Sequence, residues 1–127
     1  MATQERMFSM SSLDRPLSAA QLTFNIDEQL ADLRKDDAYR RSGRTGRTLI
    51  KSGALRVTLT VLADGVEVAT HHAKSPMTLQ LLEGSLTYRV DGRTFALKHR
   101  DVLYFGPGDA QDIRAQGETA LLLTITH

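Results

Sequence analysis

The sequence predicts an all-β jelly-roll barrel with one N-terminal α-helix, on three observations. After Gly46 the apolar residues recur at every second position, the runs showing this are short, and Gly, Asp and Pro punctuate them at turn spacing. In "ALRVTLTVLADG", Leu55, Val57, Leu59 and Val61 alternate with Arg56, Thr58 and Thr60, the pattern of an antiparallel strand with one buried face. "VEVATHH", "MTLQLL", "SLTYRV", "RTFALK", "VLYF", "DIRA" and "TALLLTIT" continue in kind. Roughly eight such runs make a closed barrel or sandwich, and "YRVDGRTF" reads as a hairpin turning at Asp91-Gly92. No alternation of strands with helices and no long repeat competes with this assignment.

The helix lies in "NIDEQLADLRKDDAYRR". Asn25 can cap it, Glu28 completes a capping-box-like pair, and Ile26, Leu30 and Leu33 fall on one narrow apolar face. Such a stripe needs a larger hydrophobic surface to lie on. Ahead of it, the start of the chain mixes Ser, Thr, Gln and Met without a period. The expected organisation is an arm over residues 1–20, the helix and a basic turn over 21–46, and the barrel over 47–127.

A chain of 127 residues suits one domain with a single core. With no cysteine, disulfides, thiolate nucleophiles and cysteine metal sites are excluded, and a reducing, cytoplasmic setting is expected. The formal charge of +1 offers no case for nucleic acid or an anionic membrane as partner, and no apolar run approaches the length of a membrane span. Locally, "RRSGRTGRT" is strongly basic. Arg41, Arg44 and Arg47 are therefore candidates for gripping an anion, since arginine binds carboxylate or phosphate bidentately beside glycine backbone. The alternative is structural: a basic helix C-terminus, favoured by the helix dipole, stopped by Gly43 and Gly46 and followed by a turn. The glycine spacing and Gly-Lys-Ser/Thr ending of a phosphate-binding loop are absent, which favours the structural alternative.

Two spaced motifs carry a resemblance to the small single-domain cupins. The first cupin motif runs glycine, five residues, His-x-His, three or four residues, glutamate, six residues, glycine. The chain has Gly65, His71, Ala73, Met77 and Gly84 at those places. In the second motif Arg100 stands for the first glycine, Gly106 for the proline, Gly108 for the second glycine, Gln111 for the histidine and Ala115 for the asparagine. The resemblance covers residues 47–127 and implies the double-stranded β-helix of that family.

Metal-binding cupins surround one ion with three histidines and a carboxylate, a set suited to divalent first-row metals. Here only His71 keeps its place; Ala73 has no donor atom, Met77 a weak thioether and Gln111 an amide. His72 adjoins His71, but consecutive strand residues face opposite ways unless a bulge intervenes. No metal or other cofactor is therefore expected; if a metal binds, His71 and His72 are the candidates. The resemblance instead implies a barrel binding a small organic molecule, with His71, Gln111, Met77, Ala73 and Tyr104 as ligand-binding candidates. Two alternatives stand beside it: a small-molecule enzyme, metal-dependent or using His71 as acid or base, and a regulatory module working through the basic segment or the helix. Met77 also has a plain core-filling role open to it, His71 that of a hydrogen-bonded core histidine, and Tyr104, like Tyr88, that of covering the outside of the barrel, since parity alone does not tell. "TALLLTIT" is nearly uncharged, so it should be central in its sheet or paired across an interface, and a homodimer is expected.

Overall fold

The computed structural model describes residues 19–69, 75–90, 92–106 and 112–126. The arm up to residue 18, His71, His72, Ala73, Asp91, Gln111 and His127 lie outside the described residues. Among the described residues two short helices, α1 (Ile26–Arg34) and α2 (Asp37–Ser42), lead into seven strands. These are β1 (Arg44–Ser52), β2 (Leu55–Leu62), β3 (Glu67–Ala69), β4 (Met77–Val90), β5 (Arg93–Leu97), β6 (Val102–Phe105) and β7 (Asp112–Thr126). All observed pairings are antiparallel, and among the described residues no helix is long and apolar enough to cross a membrane.

The expected single helix is two. Asn25 caps α1 by accepting from the Glu28 N–H at 2.9 Å, and Leu30 and Leu33 are buried as the periodicity requires. Asp36 interrupts the helix by capping α2, its Oδ1 accepting from the Ala38 N–H at 3.2 Å. Short acidic side chains compete with helix continuation in this way. Gly43 ends α2 with φ 75° and donates to the Tyr39 carbonyl at 2.8 Å. Gly46 stops nothing: β1 already starts at Arg44, so the segment read as a basic turn is a strand. Thr45 secures it to the helix pair, its hydroxyl donating to Asp36 Oδ2 at 3.2 Å.

β4 and β7 run unbroken through what the sequence presents as two strands each, because Gly84 and Gly117 bend the chain without ending the ladder. Their halves serve two sheets. Residues 77–83 of β4 and 119–126 of β7 join β1, β2 and β6; residues 85–90 of β4 and 112–116 of β7 join β3 and β5. The strand order β1-β2-β7-β4-β5, with β3 on β7 and β6 on β4, is that of a jelly roll. Strand β7 lies between β2 and β4, which meets the expectation that so apolar a segment be central.

Two cores result. Leu62, Leu79, Leu81, Leu86, Leu97, Ile113, Ala115 and Leu121 pack between the sheets. Leu49, Leu59, Val61 and Ala120 lie on the outer side of the first sheet, under Leu30 and Leu33 of α1. The alternation in β2 is real, but its apolar face serves the helix, while Thr60 and Leu62 face the barrel interior.

Arg100, at a motif position where cupins have glycine, is the one non-glycine residue with positive φ among those described, at 75°. The turn needs that backbone: the Arg100 N–H donates to the Leu81 carbonyl at 2.9 Å, and the Leu81 N–H to the Asp101 carbonyl at 3.0 Å. Left-handed backbone strains an L-residue, so Arg100→Gly should raise stability by about 0.5–1 kcal/mol after the entropy that glycine adds to the unfolded chain. A urea denaturation midpoint at or below wild type would contradict this.

Candidate functional site

Between the sheets lies a cavity of about 430 Å³, within the roughly 300–1,000 Å³ of small-molecule sites. Its walls follow from strand parity. The first sheet contributes Leu62, Met77, Leu79, Leu121, Leu123 and Ile125, in which β4 and β7 pair Met77 with Ile125, Leu79 with Leu123 and Leu81 with Leu121. Val68 and Ile113, themselves cross-strand partners, close it from the second sheet. The remaining wall is Thr60 with Arg44, Thr45 and Gly46 of β1. Arg44 is the only charged residue among the described residues of the wall, and its guanidinium has no hydrogen-bond or ion-pair partner among the described residues.

The three arginines of the basic segment do not form one site. Arg47 lies on the opposite face of β1 from Arg44, donating to Gln29 Oε1 at 2.8 Å and standing 3.7 Å from Asp32 Oδ2, so α1 already uses it. Arg41 is exposed in the last turn of α2 and takes no part in the cavity wall. Tyr104 also falls away from the cavity: it is 64% exposed, while its neighbour Leu103 packs on the inner core. Parity on β6 decides this, and the Tyr104 assignment is corrected. Met77 does line the cavity.

Met77 sits where the cupin motif has its glutamate, and its pairing partner across β7 is Ile125, with Leu79 and Leu123 in the next inward pair. That wall is hydrocarbon and thioether and does not fit a hard divalent ion. Among the described residues no group of three or more His, Asp or Glu could hold a metal. Parity also explains what sequence reasoning missed. Thr60 was assigned with the polar partners of a buried face, and it stands inside the barrel because helix α1 covers the other face.

A second concavity, about 570 Å³, lies on the outside of the second sheet among Glu67, Thr87, Arg89, Thr94, Asp112 and Arg114. Arg114 and Glu67 form an ion pair there at 3.3 Å, and with only Val68 and Ile113 as apolar members its lining lacks the apolar enclosure of a ligand site. Near the bend, Arg34 pairs with Glu83 and places Nε 3.0 Å from Glu118 Oε1, without the alignment of a hydrogen bond to the latter. Burial opposes its charge, but the hydrogen bond to Glu83 and the carboxylates of Glu83 and Glu118 outweigh it and hold its pKa above the ordinary value. Tyr39 donates to Glu118 at 3.2 Å, and burial together with that carboxylate raises its phenol. This cluster ties both helices to the place where the sheets separate.

No protein-family model matches the chain, and no curated protein sequence matches it. Solved structures do. A cupin superfamily protein from Desulfitobacterium hafniense is 20% identical with a TM-score of 0.62, over 65% of this chain and 76% of that one. A protein with a cupin-2 domain from Shewanella frigidimarina is 12% identical with a TM-score of 0.67, over 83% and 95%. Salicylate 1,2-dioxygenase from Pseudoaminobacter salicylatoxidans, as its adduct with gentisate, is 19% identical with a TM-score of 0.74, over 97% of this chain and 39% of the enzyme. Joined to the strand order and to the two long strands shared between the sheets, these likenesses settle the architecture: the chain has the jelly-roll fold seen in cupins.

Proposed function

We propose that this protein binds a small organic molecule in its barrel, and that the metal site of the fold is lost. The observation that carries the reading is the apolar cavity of about 430 Å³ between the sheets, with Met77 at the place of a carboxylate ligand. A fold that hosts enzymes, binding proteins and regulators does not choose among them; the walls favour binding, because they present hydrocarbon and few polar groups. His71 and Gln111 are proposed as further polar handles.

The test uses the neutral, apolar fluorophore N-phenyl-1-naphthylamine, whose emission rises on leaving water. Wild-type protein should bind it saturably. Leu123→Phe, which fills the cavity from β7, should weaken binding about tenfold, a change of roughly 1.4 kcal/mol. No saturable binding to wild type, or equal binding to the filled variant, would remove the reading.

A homodimer is proposed through the outer face of the first sheet. Across it, beyond the part that α1 covers, Ile50, Val57, Thr124, Thr78 and Tyr104 form a transverse row in register. The row holds no charge, and Tyr104 at its end is 64% exposed. A two-fold interface brings a patch against itself, which an uncharged patch allows without repulsion.

A further inference from the structure

Resting on the reading of the barrel as a ligand site, we infer that its ligand is an organic anion: an apolar body ending in one carboxylate-type or sulfonate-type head, held by Arg44. β1 sets the arrangement. Arg44 opposes Leu62 and Gly46 opposes Thr60, so Arg44 and Thr60 lie on the same face of neighbouring strands, diagonally related and within reach of a long side chain. Both border the cavity. A Cβ on Gly46 would stand 3.2 Å from Thr60 Oγ1, so the missing side chain leaves that hydroxyl uncovered beside Arg44.

The rest of the wall repeats one chemistry, with Met77, Leu79, Leu123 and Ile125 on one side and Val68 and Ile113 on the other. A molecule inside therefore meets hydrocarbon over most of its surface, with the exposed Arg44 and the Thr60 hydroxyl on its β1 flank. A sugar-like polyol would leave most of its hydroxyls unpaired there, which is costly. A cation would face Arg44 without a carboxylate in the described wall to balance it. An anionic head satisfies the guanidinium through two parallel charge-assisted hydrogen bonds, the strongest kind available to it. Arg47 shows the contrast on the same strand: its donors are engaged by Gln29 and Asp32, while those of Arg44 are unclaimed among the described residues.

The experiment compares two probes with the same ring system: 1-anilinonaphthalene-8-sulfonate, which carries one anionic group, and N-phenyl-1-naphthylamine, which lacks it. Fluorescence titrations are run on full-length wild type, Arg44→Met and Arg44→Lys, each first shown to melt cooperatively. Wild type should bind the sulfonate at least about tenfold more tightly than the neutral probe. Arg44→Met should abolish that preference while neutral-probe binding stays within about twofold, and Arg44→Lys should retain part of it because the charge remains and the fork does not. If the neutral probe binds and is displaced by the Leu123→Phe filling, yet the sulfonate is not preferred or its preference survives Arg44→Met, the anion inference fails and the ligand site stands. If the neutral probe does not bind wild type at all, the ligand site fails and the inference with it.

Discussion

Gly84→Ala should cost roughly 2–5 kcal/mol, enough to unfold much of the protein if its stability is ordinary for a domain. Two separate terms add at this residue. Its φ of 77° is left-handed, and a Cβ there would collide with the Glu118 carbonyl oxygen and approach Thr119 Oγ1 to 2.8 Å and Thr119 Cα to 3.0 Å. Those are largely backbone atoms, held where β4 and β7 pass from one sheet to the other, with the register shifting on either side of Glu83. Thr119, fully buried, is itself fixed by donating to the Ser85 carbonyl at 3.0 Å, so the neighbouring strand cannot withdraw. Gly117→Ala isolates the first term: its φ is 80°, but nothing lies within 4 Å of the added Cβ, and it should lose only about 1 kcal/mol. Urea midpoints of the two variants measure the difference. Similar losses for both would show that close approach of backbone is not what position 84 requires.

The same glycine marks how much of the molecule was legible. Its place at the end of the first motif, the period-two alternation and the Asp91-Gly92 turn all point to the jelly roll, and Val90 indeed pairs with Arg93 across two residues. What sequence could not deliver was the assignment of faces. Alternation in β2 separates two sets of side chains without saying which set looks inward, because here both faces are covered, one by the opposite sheet and one by α1. Thr60 is thus missed as a cavity residue, and Tyr104, open to either face in the sequence and named as a ligand-binding candidate, points out. The arginines show the complementary limit. Charge density drew Arg41, Arg44 and Arg47 together, but a strand places Arg44 and Arg47 on opposite sides, and only knowing that β1 begins at Arg44 separates a barrel arginine from a helix-bound one. Asp36 hid the break between α1 and α2 for a related reason: within a helical pattern an aspartate reads equally as solvent-facing or as a cap.

Leu123→Asp and Thr124→Asp differ by one position and should fail in different ways. Leu123 faces inward on the central strand β7, opposite Leu79 on β4 and Thr58 on β2, and packs against the inner core. A carboxylate there loses the leucine's contacts and enters a wall without a basic partner in its own cross-strand pairs. The expected loss is about 3 kcal/mol or more, seen as a collapse of the thermal transition or of soluble yield. Thr124 lies on the other face, between Val57 and Thr78 in the uncharged transverse row, and is partly exposed. Its aspartate should stay within about 1 kcal/mol of wild type in monomer stability, because the group remains hydrated. If a second copy docks on that row, the same substitution brings like charges together across the two-fold axis and should lower the mass measured by light scattering from two chains to one. A wild-type mass of one chain would remove the dimer while leaving the contrast between the variants intact. Equal stability of Leu123→Asp and Thr124→Asp would instead overturn the inward placement of Leu123, and with it the parity on which both the cavity wall and the position of Arg44 opposite that wall depend.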